Sequence, residues 1–127
     1  MKRLAVTLAL VAVAAIGAAC SSAAPAPSVS GSVDPNGPTV VAKDLKYQPP
    51  TTIDVKAGQN FTLHFDNQDS APHNVAIYTD SSAGSAISVG QVITSSKADQ
   101  VVPALKPGTY FFRCDVHHDM TGTITAQ

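Results

Sequence analysis

The chain has 127 residues, which is enough for one domain with terminal extensions. It carries eight Lys and Arg residues against nine acidic residues, all of them Asp, and it has no basic run or aromatic–basic pattern that would indicate binding to nucleic acid. Abundant Val, Thr, Ile, Gly and Pro favour strands and turns over helices.

The N-terminus predicts an export signal over residues 1–19. Lys2 and Arg3 precede an uncharged apolar run at 4–16, and small residues follow the run. A membrane-spanning anchor is the alternative, but the run is shorter than the roughly 20 residues that a spanning helix needs. We therefore expect an exported, extracytoplasmic protein.

Cys20 follows these small residues and precedes two serines, a pattern that resembles a lipobox. In a lipobox the signal is cleaved before the cysteine, whose thiol then carries a diacylglyceryl group. Gly17 stands where such sequences usually have Leu, and ordinary signal cleavage is the alternative. We favour lipidation of Cys20, which would anchor the protein to a membrane at the cell surface or in the periplasm. Cys114 is then a free thiol rather than one half of a disulfide, the alternative for two exported cysteines.

Residues 20–38 are rich in Ser, Ala, Pro and Gly and poor in large apolar side chains. Such a segment buries too little surface to offset the entropy lost on ordering, so we predict that it is a flexible tether. The remaining residues, 39–127, form the predicted folded domain.

Short strands separated by Pro- and Gly-rich turns are predicted throughout residues 39–127. Residues 60–66 alternate apolar and polar side chains, which predicts a half-buried strand with His64 on its solvent-facing side. The other predicted strands are 39–42, 52–55, 73–78, 91–94, 99–102, 109–114 and 121–125, with a loop at 79–90. The predicted core contains Phe61, Leu63, Phe65, Val75, Ile77, Tyr110, Phe112 and Ile124. Seven or eight such strands predict an all-β Greek-key sandwich.

The segment 108–122, GTYFFRCDVHHDMTG, brings a thiol, an imidazole and a thioether within seven residues, at Cys114, His117 and Met120. Two soft sulfur donors and one imidazole nitrogen select a copper ion that cycles between Cu(I) and Cu(II). A trigonal site of two His and one Cys, with a weak axial Met, needs a second His from elsewhere in the chain. A structural zinc site is disfavoured because Met is a poor zinc ligand.

Three histidines are candidates for the second imidazole, namely His64, His73 and His118. His64 lies on the predicted solvent-facing side of its strand. His118 adjoins His117, and neighbours on a tight loop seldom both reach one small ion. His73 begins a predicted strand where a loop meets the end of the sandwich, so we favour His73.

Two segments of the chain resemble the copper-binding segments of cupredoxins, the small blue copper proteins. The sequence Ala-Pro-His-Asn-Val at 71–75 is similar to the first ligand segment of plastocyanin. The pattern Cys-x-x-His-x-x-Met within 108–120 is similar to the short ligand loop of amicyanin. The resemblance covers 39–127 and implies a cupredoxin sandwich there.

The resemblance also implies the roles of individual side chains. His73, His117 and Cys114 would bind one type 1 copper ion, with Met120 as the long axial ligand, and Asn74 would tie the two ligand segments together by hydrogen bonds. Because these four ligands would leave no open position for a substrate, we expect an electron carrier rather than an enzyme. We expect a monomer that meets its redox partner proteins transiently.

Two positions depart from the cupredoxin pattern. Asp115-Val116 stands where many members have Pro or Gly, and His118 stands where amicyanin-like loops have Pro. Both changes remove stiffening from the ligand loop. They favour, as an alternative, a copper-binding or copper-delivery protein without an electron-transfer role; a cupredoxin-like module of a larger assembly is a further alternative.

Overall fold

A computed structural model describes residues 34–127, which form two β-sheets that enclose one core. The strands are β1 (Thr39–Lys43), β2 (Lys46–Tyr47), β3 (Thr52–Val55), β4 (Phe61–Asn67), β5 (Ala76–Tyr78), β6 (Ala86–Val89), β7 (Ser96–Val102), β8 (Gly108–Arg113) and β9 (Thr121–Ala126). The first sheet has the order β2-β1-β4-β7 and the second the order β3-β9-β8-β5-β6. Residues 34–127 contain no helix that is long and apolar enough to cross a membrane. The predicted all-β sandwich is therefore confirmed, with nine strands instead of seven or eight.

Strand pairing brings the ends of β8 and β9 together beside the predicted ligand loop. The two strands are antiparallel, and Arg113 at the end of β8 pairs with Thr121 at the start of β9. The connection between them is therefore residues 114–120. Cys114 and Met120 are the first and last residues of this connection, so a two-stranded ladder fixes both ends of the loop.

The core lies between the two sheets and contains most of the predicted residues. Leu63, Phe65, Val75, Ile77, Phe112 and Ile124 are buried, while Phe61 and Tyr110 are partly buried against them. The ring of Tyr47, from the unpredicted strand β2, packs on Phe112 with 5.4 Å between centroids. Each large apolar side chain buried in this way stabilises the fold by about 1.5–3 kcal/mol.

The outer face of β4 is covered by the end of the predicted tether, residues 34–38. The backbone N–H of Asp34 donates to Thr62 Oγ1 at 2.9 Å, and the Asp34 carbonyl lies 2.8 Å from His64 Nε2. A Cβ on Gly37 would lie only 1.9 Å from the Thr62 carbonyl oxygen, so glycine is required there. Thr62 is consequently buried, although alternation predicted an outward position. The predicted signal, residues 1–19, and Cys20 lie outside the described residues.

Two predictions between β5 and β7 are wrong in detail. The predicted loop at 79–90 contains β6, a four-residue edge strand that the surrounding Ser and Gly residues obscure in the sequence. The predicted strand at 91–94 is irregular, and only Ile93 pairs, in an isolated antiparallel bridge with His73. The backbone at Ile93 is thus used to hold His73 and not to extend a sheet.

Candidate metal centre

Three of the predicted metal ligands meet at one end of the sandwich. His73 Nδ1 lies 3.7 Å from Cys114 Sγ and 3.1 Å from His117 Nδ1, and the potential ligand atoms of the three residues lie within 4.8 Å of one another. His73 and Cys114 are fully buried, whereas His117 is half-buried. Two donors therefore lie inside the protein, and the third faces the surface.

Backbone pairing and a buried amide fix the position of His73. The N–H of His73 donates to the Ile93 carbonyl at 3.0 Å, and the N–H of Ile93 donates back at 2.9 Å. The Asn67 side chain, buried at the end of β4, donates to the carbonyls of Ala71 and Ile93 at 2.9 and 2.6 Å. These contacts join the His73 segment to the end of β4 and to the backbone at Ile93.

The loop from Cys114 to Met120 is closed by its own hydrogen bonds. The N–H of Cys114 donates to the Met120 carbonyl, and the N–H of Met120 donates to the His117 carbonyl, both at 3.0 Å. The N–H of His117 points at Cys114 Sγ from 3.4 Å, so it also joins the two ends of this turn. Met120 is buried in the same core cluster as Cys114. The loop contains no Pro, and these hydrogen bonds support it instead.

Asn74 connects the two ligand segments. Its side-chain oxygen accepts the N–H of Asp115 at 2.8 Å, and its side-chain nitrogen donates to the Gly90 carbonyl at 3.3 Å. The buried hydroxyl of Tyr47 donates to the Asn74 backbone carbonyl at 2.5 Å. Asn74, which follows His73, is therefore hydrogen-bonded to Asp115, which follows Cys114. This is the kind of contact that the resemblance implies.

A second set of contacts around Asp115 could not be predicted from the sequence. The Tyr78 hydroxyl donates to Asp115 Oδ1 at 2.6 Å, and Arg113 Nε lies 3.3 Å from the same oxygen. The Arg113 guanidinium also lies over the Tyr78 ring, 5.1 Å from its centroid. The hydrogen bond to Asp115 raises the pKa of Tyr78, which keeps this hydroxyl a donor. Asp115, which departs from the cupredoxin pattern, is thus tied to β5 and β8.

The outer nitrogen of the buried His73 ring faces a carboxylate that sequence reasoning also missed. His73 Nε2 lies 3.1 Å from Asp69 Oδ2. Hydrogen bonds from the backbone N–H groups of Leu45 and Asp44, and from His73, hold the pKa of Asp69 below its usual range. Asp69 and Asp66 both lie in polar surroundings near the end of β4, and nothing in the sequence distinguishes them.

The donor set fits a copper ion. An ion of about the size of zinc binds nitrogen at roughly 2.1 Å and thiolate sulfur at roughly 2.3 Å. The ligand atoms around such an ion lie about 3–4 Å from one another. The separations of 3.1 and 3.7 Å around His73 Nδ1 fall in this range. A buried thiol, two imidazoles and a neighbouring buried thioether are the donors that copper prefers.

The remaining histidines lie outside this group. His64 Nδ1 lies 2.6 Å from Asp99 Oδ1 on the outer face of β4, and His118 is exposed on the ligand loop. Among residues 34–127, His73, Cys114 and His117 are the one group of three or more His, Cys, Asp or Glu residues that could hold a metal ion. Within the same range Cys114 is a free thiol.

The sandwich and its donor set define a small copper-site protein of the all-β class. The sequence model of the cupredoxin-like domain matches residues 7–126, so the chain belongs to the cupredoxin-like family. Amicyanin from Paracoccus versutus is similar, with a TM-score of 0.57 and 25% sequence identity over 75% of this chain and 85% of that chain. A reduced auracyanin from the photosynthetic bacterium Roseiflexus castenholzii has a TM-score of 0.62 and 20% identity over 70% of this chain and 94% of that chain.

A Cu(I) form of an amicyanin variant is also similar, with a TM-score of 0.57 and 25% identity over 75% of this chain and 86% of that chain. No curated protein sequence is similar enough to the chain to be matched. The family match and the structural neighbours confirm the predicted cupredoxin, of the plastocyanin and amicyanin type.

Proposed function

We propose that the protein is a type 1 blue copper protein that carries single electrons. His73, His117, Cys114 and Met120 are the proposed ligands of its one copper ion. The observation that carries this proposal is the convergence of His73 Nδ1, Cys114 Sγ and His117 Nδ1, from segments more than 40 residues apart, around a common point. A copper ion bound by such donors supplies a one-electron couple between Cu(I) and Cu(II).

The hydrogen bonds around the donors support an electron-transfer role. Fast electron transfer needs a site whose geometry changes little between the two oxidation states. Here the backbone N–H and carbonyl of His73 are both paired with Ile93, and Asn74 ties Asp115 to the His73 segment. These contacts restrain each ligand segment independently of the metal. If the four proposed side chains hold the copper ion, they would leave it no open position for a substrate.

His117 is the proposed port for electrons. It is the more exposed of the two histidine ligands, and Val116 beside it is 44% exposed. An apolar side chain next to an accessible imidazole edge suits brief contact with a redox partner protein. After residue 19 the chain carries six Lys and Arg against nine Asp, a mild imbalance that does not select a strongly charged partner.

Copper binding or delivery without electron transfer is the second candidate function. The observation that favours it is His118, which is exposed and directly follows His117 on the ligand loop. A second imidazole at the surface can accept copper from the centre and pass it on. The two functions differ in whether the ion stays bound after reduction.

Visible spectroscopy and voltammetry of the purified protein test the proposal. Addition of Cu(II) should give an intense thiolate-to-copper charge-transfer band and a reversible one-electron wave with copper retained. Cys114→Ser should abolish the band, whereas His64→Gln, on the outer face of β4, should retain it. A colourless copper adduct, or loss of the metal on reduction, would instead favour copper delivery.

The proposal includes export and anchoring of the domain. Residues 1–19 act as a signal, Cys20 carries the lipid, and residues 20–38 connect it to the copper domain at 39–127. Mass spectrometry of the mature N-terminus should find a diacylglyceryl-modified cysteine. Cys20→Ser should move the protein from the membrane fraction to the soluble extracytoplasmic fraction; an unchanged distribution would contradict anchoring through Cys20.

A further inference from the structure

The two ring nitrogens of His73 face different chemical environments. Nδ1 faces Cys114 Sγ and His117 Nδ1, at 3.7 and 3.1 Å. Nε2 faces Asp69 Oδ2 at 3.1 Å, and the imidazole is fully buried. The ring therefore lies between the other two donors and a single carboxylate.

Asp69 is itself held on several sides. Its Oδ1 accepts the backbone N–H of Asp44 at 2.8 Å, and its Oδ2 accepts the backbone N–H of Leu45 at 3.0 Å. Its own N–H donates to Asn67 Oδ1 at 2.9 Å, and its carbonyl accepts the N–H and the hydroxyl of Ser95, both at 2.9 Å. The carboxylate thus has little freedom to move away from His73.

The turn between β1 and β2 is shaped around this carboxylate. Asp44 and Leu45 have φ angles of 55° and 57°, in the left-handed region that residues other than glycine seldom adopt. Two consecutive backbone N–H groups thereby point at one anion, which resembles an anion-binding nest. The exposed Leu45 side chain, 55% accessible, gains no burial in return. The turn is connected to the metal end of the protein through its contact with Asp69.

We propose that Asp69 is a positioning residue of the metal centre, whose carboxylate holds the His73 ring in the tautomer that presents an unprotonated Nδ1 to copper. This inference rests on the proposed copper site. A carboxylate that accepts an N–H from Nε2 leaves the lone pair on Nδ1 and makes the imidazole a stronger donor. The turn at Asp44 and Leu45 keeps the carboxylate in place.

The tautomer can be measured without any metal, by ¹⁵N NMR of the His73 ring in the metal-free full-length protein. Wild-type protein should show a proton on Nε2 and none on Nδ1. Asp69→Ala should give a mixture of both tautomers. Asp69→Asn, which keeps an oxygen acceptor but removes the charge, should retain the Nε2–H form. Asp44→Asn is the matched control, because it removes a nearby charge and keeps the backbone N–H that contacts Asp69.

Copper affinity and reduction potential provide the second measurement. Competition with a Cu(I)-specific chelator should show about 10- to 100-fold weaker binding for Asp69→Ala, the range found when such outer partners are removed. Asp69→Asn should lose less affinity and shift the reduction potential upward, because a neutral partner stabilises Cu(II) less. Asp44→Asn should match the wild type in both properties.

The outcomes separate this inference from the proposed function. If Asp69→Ala keeps the wild-type tautomer and binds copper within about twofold of wild type, Asp69 does not position His73. The same conclusion follows if Asp44→Asn reproduces the effects of Asp69→Asn. If wild-type protein fails to bind copper, the proposed function is wrong, but the tautomer in metal-free protein still decides the role of Asp69. If Asp69→Ala does not fold, the comparison of Asp69→Asn with Asp44→Asn decides it.

Discussion

Asn74 and Asp115 lie 41 positions apart in the chain, yet the side-chain oxygen of Asn74 accepts the N–H of Asp115 at 2.8 Å. Each of them directly follows a proposed copper ligand, His73 or Cys114. The hydrogen bond therefore fixes the distance between two ligand segments that come from different parts of the sequence. Its removal should affect both the fold and the metal centre.

Asn74→Ala should lower the free energy of unfolding by about 1–3 kcal/mol, because it leaves a partly buried N–H on Asp115 without its partner. It should also weaken the charge-transfer band of the copper-loaded protein. Denaturant unfolding and visible spectroscopy measure the two effects. Asn60→Ala is the control, since Asn60 also accepts a backbone N–H, that of Ala104, but at an exposed position. Equal effects of both substitutions on the band would contradict the linking role of Asn74.

Met120→Leu should preserve the fold and change the reduction potential. Met120 is 3% exposed, and Leu has a similar volume, so the free energy of unfolding should change by less than about 1.5 kcal/mol. Loss of the weak axial thioether should raise the potential, because a lower coordination number favours Cu(I). Voltammetry measures this shift. An unchanged potential in a protein that retains its colour would exclude Met120 as a ligand.

The contacts of His64 predict that the stability of the fold depends on pH, independently of the metal centre. Both ring nitrogens face acceptors, Asp99 Oδ1 and the Asp34 carbonyl, and the hydrogen bond to Asp99 raises the pKa of His64 above its ordinary value. Because the pKa of His64 is raised in the folded state, protonated His64 stabilises the fold. This stabilisation is complete below the pKa of about 6.5 that a histidine has in the unfolded chain. It is lost as the pH rises through the folded value.

His64→Gln should therefore destabilise the protein more at about pH 5.5 than at about pH 9. Chemical unfolding of metal-free wild type and variant at both pH values measures the difference. Asp99→Asn should remove most of the same pH dependence, because it removes the partner that raises the pKa. A pH-independent difference between wild type and His64→Gln would contradict this account.

Gly122→Ala should destabilise the fold because β9 lies directly on a core ring. A Cβ at Gly122 would lie 2.2 Å from Phe112 Cζ and 2.5 Å from the Thr51 carbonyl oxygen, and neither contact can be relieved without moving the core or the backbone. The expected loss is about 1–3 kcal/mol in thermal or denaturant unfolding. Gly84→Ala, where the nearest atom is Ser82 Oγ at 3.5 Å, should stay within about 0.5 kcal/mol of wild type. Similar losses at both positions would contradict the packing argument.

The sequence was sufficient to predict the sandwich from local patterns, and to predict the meeting of His73 with the Cys114 loop from its resemblance to the cupredoxins. Strand alternation identified residues such as Leu63 and Phe65 as core, and the spacing of Cys114, His117 and Met120 is short enough to lie on one loop. The strand at 91–94 was mispredicted because its apolar residues suggested pairing along a sheet, whereas Ile93 pairs with His73 alone.

The supports of the site could not be predicted, since they depend on contacts between distant segments. Asp69 meets the turn at Asp44 and Leu45 across about 25 positions, and Tyr78 meets Asp115 across 37. Neither contact leaves a periodic or compositional signal in the chain. Part of the support of the ligand loop likewise comes from Asn74 and Tyr78, which lie outside the loop, and so its own residues do not reveal it.

The described chain begins beside Thr62, near the start of β4, whereas the donors gather beyond Asn67 at the end of the same strand. Five residues of strand separate these positions by about 17 Å. The first described residue and the donor group therefore lie near opposite ends of β4. The proposed anchor at Cys20 would then join the domain at the end of β4 opposite the proposed electron port at His117. On this proposal, a redox partner could dock at His117 without displacing the segment that carries the lipid.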